Sequence, residues 1–306
     1  MKCEVFSVKI KGCEVVSAVG AMEDCDMKLR QVRNFVVLTL LLMVTFSAIQ
    51  GLWIGNKVSS QLELEMESCN NLRQVMLGIE AYHAEYGRLP CHALYDLQKQ
   101  PIHSWRTLIT PYLAGTRQLY RWSEPWDGPF NQRLAQGFEV EVGVSENPVV
   151  AQGKPLVKAI DPEDGVLLID YAWPFRRAGV MDESCRIHFF AVVGKETAWP
   201  EDGSIALDDI ADGAENTLLL VESHSVSAYW SEPRDLRFDE MDFAINVQGG
   251  CGISGPAGRE PLVLFADGEV YRLQPETSPE VVRALLTANG GEQVDRHQLL
   301  NEGLLR

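Results

Sequence analysis

The stretch Phe35–Ile54, FVVLTLLLMVTFSAIQGLWI, decides how the rest of the chain is read. Its twenty residues carry no charge, and the uncharged run extends from Asn34 to Asn56. A helix rises about 1.5 Å per residue, so this stretch spans about 30 Å, the thickness of a bilayer's hydrocarbon core. Lys28, Arg30 and Arg33 precede it, and Glu63, Glu65 and Glu67 follow, with Lys57 the sole basic residue near its far end. That Lys/Arg bias predicts a cytoplasmic N-terminal segment (1–34), a single transmembrane helix (35–54), and everything after residue 56 outside. A secretory apolar region runs only about 7–15 residues. Phe46 also spoils Ser47-Ala48 as a cleavage site, so a retained anchor is expected. Met27-Lys28-Leu29-Arg30 has the form of a signal-anchor start, and residues 1–26 are read as a mis-assigned beginning.

Outward from the anchor, helical spacing continues. Leu62, Met66, Cys69, Leu72, Met76, Ile79, His83 and Tyr86 recur at intervals of three or four, with Glu63, Glu65, Glu67, Asn70, Arg73, Glu80 and Glu85 between them. Gly87 and Pro90 end the pattern. Residues 55–87 are therefore expected to continue the anchor as an amphipathic helix. Unbroken from Phe35 to Tyr86 the rod would be about 78 Å long, and Gly51 and Gly55 are its natural kink points. The stripe is too short for a sustained coiled coil.

Residues 88–306 read as an exported α+β globular domain. Val166–Ile169, His188–Val193, Thr217–Val221 and Leu262–Ala266 are strand-like runs, and five Asp-Gly pairs punctuate the chain. Leu262–Ala266, Asp267-Gly268 and Glu269–Leu273 predict a hairpin with a two-residue turn. Ser278-Pro279-Glu280 predicts a capped helix start, and a shorter amphipathic piece, Ser104–Leu113, is interrupted by Pro111. The expected fold class is α+β, with the long N-terminal helix packed on an antiparallel sheet that carries long loop insertions.

The formal charge is −16, with six Lys/Arg and five Asp/Glu before Phe35, which leaves −17 in the part expected outside. A surface so acidic repels phosphate backbones, which argues against nucleic acid as a partner. Of seven cysteines, Cys69, Cys91, Cys185 and Cys251 lie beyond the anchor, and none forms a C-x-x-C pair. A Cys69–Cys91 staple and free buried thiols are both open readings.

Ordered motifs run along most of the chain. They include Cys69-Asn70-Asn71-Leu72-Arg73-Gln74 with Tyr82-His83 and Tyr86-Gly87, then Trp105-Arg106 with Pro111-Tyr112-Leu113, and Glu124-Pro125-Trp126-Asp127-Gly128-Pro129 with Asn131. Ala191-Val192-Val193-Gly194, Thr197-Ala198-Trp199-Pro200, Ile210-Ala211-Asp212-Gly213, Trp230 with Glu232-Pro233-Arg234-Asp235-Leu236, and Phe265-Ala266-Asp267-Gly268 follow. On these residues the chain resembles a large bacterial prepilin-like family of unknown function. That family pairs a prepilin-type N-terminus with a C-terminal box of His, nine residues, then Asp-Gly. The resemblance implies a pilin-like layout and a cytoplasmic-membrane location, and the family has no settled biochemical activity to lend. The chain departs from the family pattern at three points. Asn34 stands where a processing glycine is expected, Thr39 where a glutamate is expected, and Ala257 where the box has histidine.

No G-x-S-x-G, H-E-x-x-H or phosphate loop is present, so no catalytic residue and no cofactor is assigned. The strongest candidate site is aromatic and acidic: Trp126, Asp127 and Asn131, with Trp199, Trp230 and Glu232 from later loops. Exposed indole faces beside carboxylates and amides suit sugars, although such tryptophans also pin loops to a core. Asp212, Asn216 and Glu222 have oxygen ligands of the kind calcium takes, but Asp212-Gly213 reads first as a turn and Asn216 as a side chain that bonds nearby backbone. Two functions follow. One is a membrane-anchored, non-enzymatic, pseudopilin-like structural or assembly protein that associates through its N-terminal helix. The other is an anchored binding module for a glycan or a cation.

Overall fold

A computed structural model describes residues 59–113, 119–136, 157–161, 165–169, 172–180, 185–292 and 294–306, together with Gln31, Asn34, Met43, Thr45 and Gln50, which are helical. The chain divides into two compact units, Met1–Leu62 and Glu63–Arg306. Nearly all of Phe35–Ile54, with Gly55 and most of residues 1–34, lies outside the described residues. Among those described, no helix is long and apolar enough to cross a membrane.

The second unit is a mixture of helices and antiparallel sheet. Helix α1, described over residues 59–86 and in this unit from Glu63 onward, ends at Gly87, whose φ of 70° is a conformation that favours glycine. Its buried face holds Ser68, Asn71, Leu72, Val75, Met76, Gly78 and Ile79. This face is rotated from the expected stripe: Leu62, Met66 and Tyr86 are exposed, and Cys69 and His83 are only half-buried. Polar partners cause the rotation. The Ser68 hydroxyl donates to Leu64 O at 2.7 Å and accepts from Ala178 N at 2.9 Å. The Asn71 amide donates to Trp173 O and Arg176 O, each at 3.1 Å. Both side chains are thus satisfied where burial would otherwise be costly.

The central sheet has four antiparallel strands in the order β10-β9-β7-β5, with β5 Phe189–Phe190, β7 Leu218–Glu222, β9 Leu262–Phe265 and β10 Val270–Arg272. β7 and β9 are buried at every position, so they read as continuous apolar runs rather than alternating ones. The outer edge of β10 is covered: Arg272 and Arg306 exchange backbone hydrogen bonds at 2.8 and 3.1 Å, so the chain's last residues cap an edge open to pairing.

The β9–β10 turn differs from expectation. Phe265 N donates to Glu269 O at 2.9 Å, Gly268 N donates to Phe265 O at 3.0 Å, and Val270 lies opposite Leu264. The loop therefore has three residues, Ala266–Gly268, and only Gly268 is left-handed (φ 89°). A tight turn followed by a left-handed glycine bulge replaces the two-residue turn, which would need positive φ at Asp267 as well.

Three two-stranded pairs are also present among the described residues. β1 Ala93–Tyr95 and β2 Pro101–Ser104 form a hairpin with a register shift at Leu94/Tyr95. β3 Val157–Asp161 pairs with β4 Gly165–Ile169, and β6 Val192–Val193 pairs in parallel with β8 Leu236–Arg237. Ala191 thus divides the expected strand His188–Val193 between two sheets. The Ser104–Leu113 piece becomes α2 Trp105–Ile109, capped by the Ser104 hydroxyl, and then a 3-10 turn, Thr110–Tyr112, at Pro111. α3 spans Pro129–Ala135, α4 Pro279–Leu286 starts at its Ser278 cap, and α5 spans Arg296–Asn301. Cys69, Cys91 and Cys251 are free thiols, so the Cys69–Cys91 staple is not formed.

Candidate functional site

A cleft of about 430 Å³ opens where three segments meet. The β1–β2 hairpin supplies Tyr95 and Pro101, the loop before α3 supplies Trp126, and the segment entering β8 supplies Glu232–Asp235 and Arg237, with His92 and Val193 completing the wall. Two of the six expected ligand residues, Trp126 and Glu232, are brought together here although 106 positions separate them in sequence.

Asn131 builds the Trp126 wall without facing a ligand. Fully buried, it accepts from Arg121 N at 2.9 Å and donates to the carbonyls of Arg121, Glu124 and Pro125 at 2.8–3.1 Å. Glu124 caps the start of α3 by accepting from Phe130 N and Asn131 N. Trp126 N donates to Ile102 O at 2.9 Å, which ties this loop to β2. Asp127 is exposed on the outside of the loop.

Beneath the opposite wall lies a buried ion pair. Arg106 Nη2 is 2.5 Å from Asp235 Oδ1, with both side chains essentially inaccessible. Asp235 also accepts from Ala191 N at 2.9 Å and from the Trp105 indole at 3.2 Å, while Arg106 donates to Ser104 Oγ and Phe189 O. Burial raises the Asp235 carboxyl and lowers Arg106, and each partner opposes the other's shift. The pair joins α2 to β5, the connector to β6 and the entry to β8, which fixes the shape of the cleft. Losing one partner of such a pair costs about 3–5 kcal/mol, because the other charge stays buried.

The charges on the rim are also paired. Arg234 Nε lies 2.9 Å from Glu232 Oε1, and Arg237 forms an ion pair with Glu201. His92 Nδ1 lies 3.1 Å from Pro200 O, and a carbonyl only accepts, so this nitrogen carries the proton. His92 Nε2 then accepts from the Tyr95 hydroxyl, 2.8 Å away. Burial lowers His92 and raises Tyr95, which keeps both neutral near pH 7.

The other expected residues lie elsewhere. Trp199 is buried, donates its indole N–H to Leu219 O at 2.7 Å and packs on Trp105, while Trp230 is buried edge-on to Tyr120. These two tryptophans belong to the core and line no open loop. Asp212, Asn216 and Glu222 are not assembled as a ligand set. The Asp212 carboxylate accepts from Gly290 N and Gly291 N, and Asn216 bonds Asp212 O and Arg296 N. Glu222 sits at the far end of β7, fully buried, where it accepts from Leu262 N at 2.7 Å and pairs with Arg177 and His224, each at 2.8 Å. Among the described residues, no group of three or more His, Cys, Asp or Glu is placed to hold a metal ion.

Sequence reasoning missed His92, Tyr95, Arg234 and Arg237. A signal did exist: Trp105-Arg106 and Glu232-Pro233-Arg234-Asp235 were both among the family-like motifs, and they meet in the structure. No curated protein and no solved structure matches the chain. A family model described as Protein of unknown function (DUF1559) matches residues 65–255. That match spans more than half of the chain and includes the whole cleft, and the chain belongs to that family.

Proposed function

We propose that the chain is a membrane-anchored, non-enzymatic, pseudopilin-like subunit of a bacterial cell envelope, held through residues 35–54 with its globular part outside. The observation that carries this reading lies in the first described turns of α1. Leu62 and Met66, four residues apart and so on one helical face, are 56% and 67% exposed between Glu63, Glu65 and Glu67. Further along, the same helix is clamped on the globular part through Ser68, Asn71, Leu72, Val75 and Ile79. An apolar ridge leaving a packed head on an acidic helix suits helix-to-helix association. The prepilin-like resemblance points the same way. Photocrosslinking residues placed at 62 and 66 in intact cells test it. Adducts with a second copy or another helical envelope subunit are expected. Release of the chain from membranes by carbonate, or adducts to lipid alone, would overturn it.

A second reading has its own observation. The cleft joins an indole face, a tyrosine and paired charges from three distant segments, as a binding head requires. On this reading the anchored chain captures a ligand outside the membrane. Of the six residues expected for a glycan, Trp126 and Glu232 line this cleft, whereas the residues of the cation form are dispersed.

A further inference from the structure

We infer that the cleft takes a neutral, hydroxyl-rich ligand, a short glycan segment carrying no net charge. The inference rests on the second reading above and narrows it to one chemical class. The aromatic part comes first. Tyr95 is 47% exposed and Trp126 half-buried, and both line the cleft, so two ring faces are offered to the C–H side of a sugar. The volume, about 430 Å³, lies within the range of about 300–1,000 Å³ common for small-molecule sites.

The charges decide between ligand classes. Each formal charge on the cleft wall already has an opposite partner: Arg234 with Glu232, Arg237 with Glu201, and Asp235 with Arg106. An anionic ligand at either arginine would lie beside the like charge of Glu232 or Glu201. A cation would have to compete with an arginine for a carboxylate. A hydroxyl both donates and accepts, so it can add to the edge of an ion pair without dividing it. The His92–Tyr95 unit serves the same purpose. Pro200 O fixes the imidazole, the imidazole Nε2 accepts the hydrogen bond that the Tyr95 hydroxyl donates, and the phenol oxygen is left to accept one from a ligand hydroxyl. Burial holds this tyrosine protonated, in line with that arrangement.

Full-length protein in detergent micelles, applied to an array of neutral hexose and N-acetylhexosamine oligomers beside uronic-acid and sialylated ones, tests the inference. Retention of neutral oligomers is expected, with less than a twofold change in affinity between 0.05 and 0.5 M salt, since screening acts on net charge. Trp126→Ala should weaken binding at least tenfold and Trp126→Phe should restore part of it, with unchanged thermal melting showing that the loop still folds. Tyr95→Phe, which keeps the ring, should weaken binding several-fold and provides a second readout should Trp126→Ala fail to fold. Binding confined to acidic oligomers and lost in salt would overturn the neutral class while leaving a Trp126-dependent cleft in place. No binding of any oligomer would overturn both the inference and the second reading, and neither result bears on the crosslinks expected from residues 62 and 66.

Discussion

At the scale of single residues, Ala257 occupies the position where the family-like box has histidine, and its backbone is left-handed (φ 52°, ψ 34°) between Pro256 and Gly258. A Cβ in that region costs roughly 1–2 kcal/mol. Ala257→Gly removes that strain, and the looser unfolded chain returns about 0.4–1 kcal/mol of it. The substitution should therefore stabilise the protein by about 0.5–1 kcal/mol, against the usual direction for added glycine. Urea denaturation measures this, and a lower midpoint would show that the turn tolerates its alanine. Nothing in the amino-acid string marks that backbone angle. The same holds for the tryptophans. Trp126, Trp199 and Trp230 are chemically identical, and only the structure shows two of them buried and one on a cleft. Glu232 and Trp126 were legible as residue types that suit binding. His92 and Tyr95, which share the cleft with them, were not, because the bulged hairpin that Tyr95 sits on is short and its second strand begins with a proline.

At the scale of elements, helical period was readable along α1 but rotation was not. The apolar stripe passes through Met66 and omits Val75, whereas the packed face does the opposite. Three small or polar residues shift the contact. Ser68 and Asn71 find backbone partners, and Gly78 lets Leu113 and Ile109 approach, since an added Cβ would lie 3.0 Å from Leu113 Cδ2. Val75→Ala should cost about 2–3 kcal/mol through lost burial and the cavity left behind. Met66→Ala should stay within about 0.5 kcal/mol, as exposed sites usually do. Chemical denaturation of the two variants side by side decides between the faces, and the reverse ranking would restore the original stripe. The capped start of α4 was legible because Ser278 acts locally, whereas the Ser104 cap of α2 was not read from the amphipathic piece it opens. The β9–β10 turn was legible in place but not in type. The register that sets its length, with Val270 opposite Leu264, belongs to the β9–β10 pairing of the folded sheet, which the Asp-Gly pair does not encode.

At the scale of the whole molecule, the acidic balance of −16 was open to view, but the pH behaviour depends on which titrating groups become buried. Two histidines belong to the β1–β2 region, His92 just before β1 and His103 within β2. His92 faces Tyr95, Pro200 O, Asp235, Arg237 and Glu201, and His103 faces Tyr120 and Trp122. Burial lowers both below the ordinary histidine value. A lowered folded-state value means that the unfolded chain binds the proton more readily, so stability rises with pH across the interval between the two values. The contribution of these side chains is present above the unfolded value of about 6.5 and is lost as pH falls through their folded values. Melting temperature should decline from pH 7 to pH 5, and the decline should be shallower in the His92→Gln/His103→Gln variant. Carboxylates titrate mostly below this window, so the difference in slope between the two proteins isolates the histidines. Equal slopes would mean that protonated imidazoles are accommodated at the hairpin, and that the neutral His92 acceptor drawn for the cleft is not what holds Tyr95 in place.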